Sequence, residues 1–369
     1  MGAAPALMAA GLLAAPLAAR ADVSKDDLVV HFYDVGQGSC VLIECPDGPP
    51  ILNDCGKMGG GGHAEVSAQR INARLAELSA VYPTPLQVVI SHPHTDHFSV
   101  LSATGSGIDP DYIRSVYYGG RFQDFTPTGK AWVEALAQRI DGHAHHGLCE
   151  TNARVSCLGP NEHALATPRL ACGKAVVDLL VANAYSYNRS PGVSKKAAQG
   201  TPVNGESAIL RIRYANSNIV LPGDAEEVSQ LYAIENAQAL GAPIGRASVL
   251  LLPHHGSSEY GSNDAVWAAA TLPRMVVVSA NIGGNYGHPN CLALDRFDGQ
   301  TGADKEMART QSAYSVRCGL NKTDVHEQRT LSHQFIFTET EGEVVLRIAP
   351  DGTLVVTCER GSAACKDTP

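Results

Sequence analysis

The 369-residue sequence predicts an α/β fold in which strands and helices share one large domain. Short β-branched and aliphatic runs alternate with segments whose apolar residues recur at helical spacing. Polar clusters follow several of the predicted strands, which is where layered α/β folds carry their functional loops. We therefore expect a layered domain whose functional site is built from loops at the ends of strands.

The first part of the chain begins with strands and then alternates between strand and helix. A tight turn at Pro46, Asp47 and Gly48 separates the second apolar run from the third, which predicts an antiparallel start. A segment with near-helical apolar spacing comes next, and another short apolar strand follows it. In chain order, these strands and this helix are residues 28–33, 39–44, 51–56, 64–80 and 86–90.

The second part resumes alternation after an irregular stretch. From about residue 103 to 200, Gly, Pro and Asn interrupt the pattern, which predicts an insertion that covers the substrate. Further strands are expected at residues 208–214, 218–221, 248–252 and 275–279. We expect a main domain at residues 28–330, followed at 331–369 by a C-terminal β-hairpin extension that turns at Pro350, Asp351 and Gly352.

The composition points to an exported protein. Residues 1–21 hold an apolar stretch too short to span a bilayer and end in small residues, which is typical of an export signal peptide. All ten cysteines come after it, and an even number in an exported chain favours disulfides, with Cys358 and Cys365 as one plausible local pair. Thiolate metal ligands are the weaker alternative because the chain has no CxxC pair. A periplasmic or extracellular location follows.

The most informative stretch is the loop after the strand at residues 86–90. It places His92, His94, Asp96 and His97 within six positions. Residues two apart on an extended segment point the same way, so His92 and His94 can share one ion, while Asp96 and His97 can face a second. A solvated loop is the alternative, but burying three imidazoles and a carboxylate would require a separate partner for each. The spacing predicts a two-metal hydrolytic site.

Two later loops offer the ligands that would complete such a site. Asp224 follows a strand in Leu-Pro-Gly-Asp and is the best candidate for a carboxylate that bridges two ions, although it would serve equally well as a helix N-cap. His254 and His255 follow the strand at residues 248–252. We expect one of them to bind metal and the other to orient a ligand or contact substrate. A pair of histidines on a helix surface is the alternative.

Seven short motifs follow one another along the chain. They are Tyr33-Asp-Val-Gly-Gln-Gly, Leu52-Asn-Asp-Cys-Gly, Ser91-His-Pro-His-Thr-Asp-His, Asn204-Gly-Glu-Ser, Leu221-Pro-Gly-Asp, Leu252-Pro-His-His-Gly-Ser and Tyr286-Gly-His-Pro. Taken together and in this order, they resemble the motifs of metallo-β-lactamase-fold hydrolases and, more narrowly, of the hydrolase domain of the ComEC competence-protein family. The resemblance covers roughly residues 28–295. It implies an αββα sandwich with a two-metal centre at the sheet edges, and a nuclease or phosphodiesterase activity.

Carried over to these motifs, the resemblance implies a full set of site residues. The implied metal ligands are His92, His94, Asp96, His97, Asp224, and His254 or His255, with Asp96 and Asp224 also catalytic. The residues implied to support the ligands or contact substrate are Asp34, Asp54, Asn204, Ser207 and His288.

The sequence also departs from the family pattern. The wider fold often has one more histidine before the bridging Asp, and the candidates here lie in no clear strand-end context. They are His143, His145, His146 and His163. The transmembrane channel of the ComEC family is absent from the sequence, so no role in DNA import is implied.

The function that these observations favour is an exported phosphodiesterase or nuclease that uses a metal-bound hydroxide. We expect two divalent ions as cofactors, zinc or alternatively manganese, because imidazole and carboxylate ligands suit them. The net charge of −9 argues against a broad basic surface for long nucleic acid, so a small phosphodiester or a nucleic-acid fragment is the expected substrate. We infer no stable membrane partner and no protein partner.

Two alternative functions stay open. An ester, lactone or β-lactam hydrolase would use the same metal centre on a carbonyl group. A non-catalytic exported metal-binding module would require an incomplete ligand set. A redox di-iron role is disfavoured, since position 94 is His where the resemblance leads us to expect an acidic ligand.

Overall fold

Two β-sheets lie face to face in the computed structural model of the protein, and helices cover their outer faces. The structure describes residues 25–60, 62–83, 85–145, 153–158, 165–166, 170–184, 202–298, 314–320, 325–331, 335–361 and 365. The predicted export signal at residues 1–21 lies outside these ranges.

The first sheet has eight strands, numbered here in chain order. Side by side, they are β17 (Leu354–Cys358), β16 (Val344–Ile348), β1 (Leu28–Phe32), β2 (Cys40–Glu44), β3 (Ile51–Cys55), β4 (Leu86–Ile90), β5 (Ile113–Tyr118) and β6 (Val155–Cys157). The strands from β17 to β3 are antiparallel to their neighbours, whereas β3 to β6 are parallel. The carboxyl ends of β3 and β4 therefore meet at one edge.

The second sheet has seven strands and, like the first, consists of an antiparallel part and a parallel part. Side by side, they are β15 (Phe335–Phe337), β12 (Val276–Val278), β11 (Val249–Leu251), β10 (Ser217–Leu221), β9 (Ile209–Tyr214), β8 (Val176–Val181) and β7 (Leu165–Ala166). The strands from β10 through β11 and β12 to β15 are parallel. A separate two-stranded sheet pairs β13 (Tyr314–Gly319) with β14 (His326–Leu331).

The helices connect these strands. They are α1 (Ala64–Ser79), α2 (Thr95–Phe98), α3 (Pro127–Asp141), α4 (Pro202–Gly205), α5 (Glu227–Ala239), α6 (Ala265–Thr271), α7 (Cys291–Asp298) and α8 (Thr338–Glu341). Both ends of helix α3 are determined by residues that favour the start or the end of a helix. Thr126 caps it by accepting a hydrogen bond from the Gly129 N–H, Pro127 occupies its first turn, and Gly142 ends it in the left-handed region.

Three hydrophobic cores correspond to the three interfaces between four layers. The central core joins the inner faces of the two sheets, with Val30 and Ile43 in the same cluster as Ile212 and Leu251. A second core packs α1 and α3 against the first sheet, and a third packs α5, α6 and α7 against the second. Alternate residues of one strand thus serve different cores, as the two-residue period of a β-strand requires. The predicted αββα sandwich is confirmed.

Several predicted elements are present, but their grouping differs from the prediction. The antiparallel start, the helix after it and the C-terminal hairpin all form. The described part of the region expected to be a covering insertion contains β5 and β6 of the first sheet and β7 and β8 of the second. The hairpin expected to be an extension instead forms two strands of the first sheet, because β16 pairs with β1 and β17 becomes the edge strand.

Four disulfides are described in full, and one of them links the two sheets. They join Cys40 to Cys55, Cys45 to Cys172, Cys291 to Cys318, and Cys358 to Cys365. Cys157 is disulfide-bonded as well, and Cys149 lies outside the described residues. The bond from Cys45 connects the end of β2 to the segment that leads into β8, so it links the two sheets. Predicted disulfides, including the local pair near the C-terminus, are confirmed.

No helix in the described ranges has the length and apolar character needed to cross a membrane.

A buried histidine joins strands β1 and β2 and the residue before β16 to helix α1. His31 Nδ1 lies 2.8 Å from Glu343 Oε1, and its Nε2 lies 3.1 Å from Glu44 Oε1. Arg74 on α1 donates two hydrogen bonds to Glu44. Burial by itself lowers the pKa of His31, but the hydrogen bonds and charges of the two glutamates outweigh it and raise that pKa. Burial raises the pKa of Glu44, yet its partners lower it to about 2.

This arrangement predicts a stability that depends on pH through His31. Because the folded pKa is raised, the contribution of His31 is complete below its unfolded pKa of about 6.5 and is lost as pH rises through the folded value. We expect His31→Gln to lower the free energy of unfolding by about 1–3 kcal/mol at pH 6 and by less at pH 9. Urea unfolding with disulfides intact measures this. The exposed His143→Gln is the control, and an equal loss at both pH values would contradict the prediction.

Candidate metal centre

The site forms where the carboxyl ends of strands from both sheets meet. The loop after β4 carries the histidine cluster, and the residue that follows β10 in Leu-Pro-Gly-Asp is Asp224. The turn after β11 carries His254 and His255. All three loops leave parallel strands, so the shared direction of these strands brings the loops to one edge of the sandwich.

Asp54 at the end of β3 holds the histidine loop in place. Its Oδ1 accepts a hydrogen bond from the Ser91 N–H at 2.6 Å, and its Oδ2 lies 2.9 Å from His97 Nδ1. Asp54 has a φ of 54°, a left-handed conformation that is uncommon outside glycine. One buried carboxylate therefore fixes both the start of the loop and the ring of a later residue in it.

Two glycines allow the loops to approach closely. A Cβ at Gly56 would lie 2.5 Å from the backbone of Asp96, His97 and Phe98. A Cβ at Gly223, where φ is 56°, would lie 2.5 Å from the Ser91 Cβ. Any larger residue at either position would push the histidine loop away from the strand end beside it.

The first ligand group, defined here as Asp96, His97, Asp224 and His255, is fully buried. One potential ligand atom from each residue lies within 4.8 Å of the others. His97 Nε2 is 3.1 Å from Asp224 Oδ1, and His255 Nε2 is 3.5 Å from that same oxygen. His255 Nε2 is also 3.3 Å from Asp96 Oδ2.

The second ligand group, defined as His92, His94 and Asp224, shares one residue with the first. His92 Nε2 lies 3.0 Å from His94 Nδ1 and 3.8 Å from Asp224 Oδ2. The two oxygens of Asp224 thus face different groups, Oδ1 toward the first and Oδ2 toward the second.

The two histidines after β11 face different oxygens of the Asp224 carboxylate. Both have left-handed backbone conformations, with φ of 50° at His254 and 53° at His255. Their side chains diverge as a result: His255 faces Asp224 Oδ1, whereas His254 Nε2 lies 3.7 Å from Oδ2. Backbone strain of this kind tends to occur at functional sites.

Hydrogen bonds orient the imidazoles of the first ligand group. His97 Nδ1 faces Asp54, and His255 Nδ1 lies 2.8 Å from the carbonyl oxygen of Ser279, which can only accept. With Nδ1 donating in both rings, each Nε2 points to Asp224 with its lone pair available. Partners of this kind are what fix the tautomer of a metal-binding histidine.

The buried carboxylates of the cluster are stable only with positive charge beside them. Burial by itself lowers the pKa of His97, but the charges of Asp224 and Asp54 raise it well above the ordinary value. The pKa of His255 is raised against burial mainly by Asp224 and Asp96. Burial also raises the pKa of Asp224, yet the neighbouring imidazoles lower it well below its usual value. Without a cation, protons on the imidazoles balance the buried carboxylates.

The residues present fit a divalent metal ion. Four buried atoms of the first ligand group have no hydrogen-bond partner in the described structure: Asp96 Oδ1, His97 Nε2, Asp224 Oδ1 and His255 Nε2. Ligands of a tetrahedral zinc ion lie roughly 3.3–3.5 Å apart, close to the separations of 3.1–3.5 Å between these side chains. A buried His and Asp cluster of this composition indicates a divalent metal site.

The other residues proposed for the site divide into two sets. Asn204 Nδ2 lies 3.4 Å from His254 Nε2, Ser207 Oγ lies 3.4 Å from His92 Nδ1, and the ring centre of His288 is 5.6 Å from that of His254. Asp34 instead pairs with His63 and contributes to neither ligand group. Its side chain also accepts from the Gly36 N–H, so it shapes its own loop.

The described candidates for the extra histidine lie away from both ligand groups. His143 is exposed, and His145 Nε2 contacts the Tyr118 hydroxyl. His146 and His163 lie outside the described residues. Asn204 and His254 flank the second ligand group instead.

Sequence reasoning did not single out Gln37 or Ser279. Gln37 contacts His288, and Ser279 orients His255 through its backbone carbonyl. Gln37 lies in the motif Tyr33-Asp-Val-Gly-Gln-Gly, but a neutral amide in a loop gives no sign of chemistry by itself. A backbone carbonyl leaves no signal in side-chain identity.

No family model matches the chain, and neither does any curated protein. Among solved structures it is similar to a protein of unknown function from Enterococcus faecalis, with 15% identity, 61% of this chain and 49% of that chain covered, and a TM-score of 0.31. For CmlA, a diiron β-hydroxylase from Streptomyces venezuelae, the identity is 13%, the coverage 69% and 44%, and the TM-score 0.34. The chain spans about half the length of these two proteins.

A third similar structure is the short form of human tRNase Z. The identity is 14%, the coverage is 68% of this chain and 92% of that chain, and the TM-score is 0.34. The αββα assignment rests on the sheets and cores of this chain itself.

The shared carboxylate predicts how metal content responds to substitution. We expect the protein to bind about two equivalents of zinc, Asp96→Asn to keep about one, and Asp224→Asn to keep well under one, because Asp224 faces both ligand groups. Elemental analysis after dialysis against trace zinc measures this. Asp111→Asn, at an exposed carboxylate, is the control. Retention of both equivalents by Asp224→Asn would contradict the shared site.

Proposed function

We propose that the protein is an exported metal-dependent hydrolase that cleaves phosphodiesters, either small ones or nucleic-acid fragments. The observation that carries this proposal is the position of Asp224, which presents one oxygen to each of two ligand groups. A carboxylate so placed suits two adjacent ions. Paired ions about 3.5–4 Å apart suit an in-line displacement at phosphorus, because they stabilise the attacking and leaving oxygens together.

The two ligand groups would hold one ion each. His92, His94 and Asp224 would bind one, and Asp96, His97, Asp224 and His255 the other. Bound divalent ions supply Lewis acidity and an activated water. Zinc suits these imidazole and carboxylate ligands best, with manganese as the alternative.

The protein's own residues would position the reactants. Asp96 Oδ1 is buried without a hydrogen-bond partner in the described structure, so it is available to orient the attacking water. His254 and Asn204 flank the second ligand group and would contact the phosphoryl oxygens. Asp54 would act indirectly, by keeping His97 in the orientation that presents Nε2.

Charge restricts the substrate. A net charge of −9 opposes binding along extended nucleic acid, where affinity comes from neutralising many phosphates. A short substrate needs only the local positive charge of the bound ions. This supports a small phosphodiester or a nucleic-acid fragment.

Disulfides support export. The four described bonds span distant parts of the fold as well as neighbouring ones. Disulfides persist in oxidising compartments and are rare where thiols are kept reduced. We therefore propose a periplasmic or extracellular location.

A phosphodiester substrate tests the proposed activity. We expect zinc-loaded protein to hydrolyse bis-p-nitrophenyl phosphate, and Asp96→Ala or Asp224→Ala to lower kcat/KM by at least about a thousandfold because each removes a ligand. Asp111→Ala is the control. Turnover of only lactones, esters or nitrocefin would favour the carbonyl hydrolase instead, and zinc binding without any turnover would favour a non-catalytic binding module.

Thiol counting tests export. Protein recovered from the medium or periplasm of an expressing cell should show almost no reactive thiol after denaturation without reductant, because its cysteines are paired. Reduction should then release ten. Ten reactive thiols before reduction would contradict the proposed compartment.

A further inference from the structure

His288 lies beside the metal centre but belongs to neither ligand group. Its ring centre is 5.6 Å from that of His254 and 6.2 Å from that of His255. Its Nδ1 lies 3.1 Å from Gln37 Nε2. The other ring nitrogen, Nε2, has no protein partner in the described part of the chain. His288 therefore has one nitrogen engaged and one available at the edge of the site.

The orientation of the Gln37 amide decides which nitrogen of His288 carries the proton. Gln37 Oε1 accepts a hydrogen bond from the Asn281 N–H at 3.3 Å. A backbone N–H can only donate, so this contact assigns the amide oxygen to Asn281 and the amide nitrogen to His288. The amide nitrogen can only donate, so His288 Nδ1 must accept. Its proton is then on Nε2.

Gln37 is held firmly enough to impose this choice. Its side chain is buried, and its backbone carbonyl accepts a hydrogen bond from the Met58 N–H at 2.7 Å. The next residue, Gly38, accepts from the Ser279 hydroxyl at 2.8 Å, and Ser279 also orients His255. Ser279 therefore holds both the backbone next to Gln37 and the ring of His255.

We propose that His288 is a substrate-binding residue whose Nε2–H donates to a non-bridging oxygen of the phosphodiester, and that Gln37 is the positioning residue that fixes this tautomer. The proposal rests on the proposed function, which supplies the anionic oxygen. A phosphodiester oxygen is only an acceptor, so the opposite tautomer would present a lone pair to it and repel it. A hydrogen bond to a charged acceptor is among the stronger ones available.

The tautomer can be read without measuring activity. In zinc-loaded protein with ¹⁵N-labelled histidine, long-range ¹H–¹⁵N spectra distinguish a protonated ring nitrogen from an unprotonated one, and the His288 signals are those lost in His288→Gln. We expect Nδ1 unprotonated and Nε2 protonated, with the Nε2 resonance shifting on titration with diethyl phosphate. In Gln37→Met the tautomer preference should be lost. A protonated Nδ1 in the wild type, or no shift with diethyl phosphate, would overturn the proposal.

Kinetics on bis-p-nitrophenyl phosphate separate the donor from a packing role. A glutamine amide reaches the position of the imidazole Nε2, whereas an asparagine amide reaches only that of Nδ1. We expect His288→Asn and Gln37→Met to raise KM by roughly 10- to 100-fold with a smaller change in kcat, and His288→Gln to restore most of the loss. Zinc content should stay at the wild-type value in all three. Equal losses in His288→Gln and His288→Asn would overturn the assigned donor.

Different results would contradict the proposed function and the role of His288. If zinc-loaded wild-type protein cleaves no phosphodiester, the proposed function fails, while the ring spectra still report the state of His288. If it cleaves phosphodiesters but His288 carries its proton on Nδ1, only the role of His288 and Gln37 fails.

Discussion

The buried carboxylate of Asp224 is the interaction on which the rest of the site depends. An anion removed from water is costly unless positive charge surrounds it, and here the imidazoles of His97 and His255, whose pKa values are raised, supply that charge. The same carboxylate shifts the pKa of His97 and His255 upward, so the cluster is balanced only by protons or by metal ions. Because its two oxygens face different groups of ligands, a single residue sets both the charge and the geometry of two adjacent positions.

The fold brings the ligand groups together because strands of both sheets end at the same edge of the sandwich. Parallel strands in each sheet place their following loops together, and close contacts at Gly56 and Gly223 let the loops approach to hydrogen-bonding distance. Asp54 then ties the histidine loop to its neighbouring strand. The disulfide between Cys45 and Cys172 links the two sheets independently of the site. The ligand positions therefore follow from strand direction, and their exact orientation follows from a small number of buried polar contacts.

The sequence predicts the candidate metal ligands because these are recognised by residue type and by their position after a strand. The cluster from His92 to His97, Asp224 and the paired histidines could be found because such residues rarely follow apolar strands without a reason. Distant strand pairing leaves a weaker signal. The irregular sequence at residues 103–200 gave no clear signal for the strands from β5 to β8, and the C-terminal hairpin gave no sign that β16 would pair with β1. Gln37 was missed because its role depends on Asn281, which is 244 residues away in sequence and contributes only its backbone N–H.

The most direct test of the account is the position of bound zinc. Anomalous diffraction at the zinc absorption edge, from crystals of the zinc-loaded protein, locates each ion independently of any activity. We expect two peaks about 3.5–4 Å apart, on either side of the Asp224 carboxylate and each in contact with one of its oxygens. A single peak, or two peaks of which one does not contact Asp224, would contradict the claim that this carboxylate joins two metal positions.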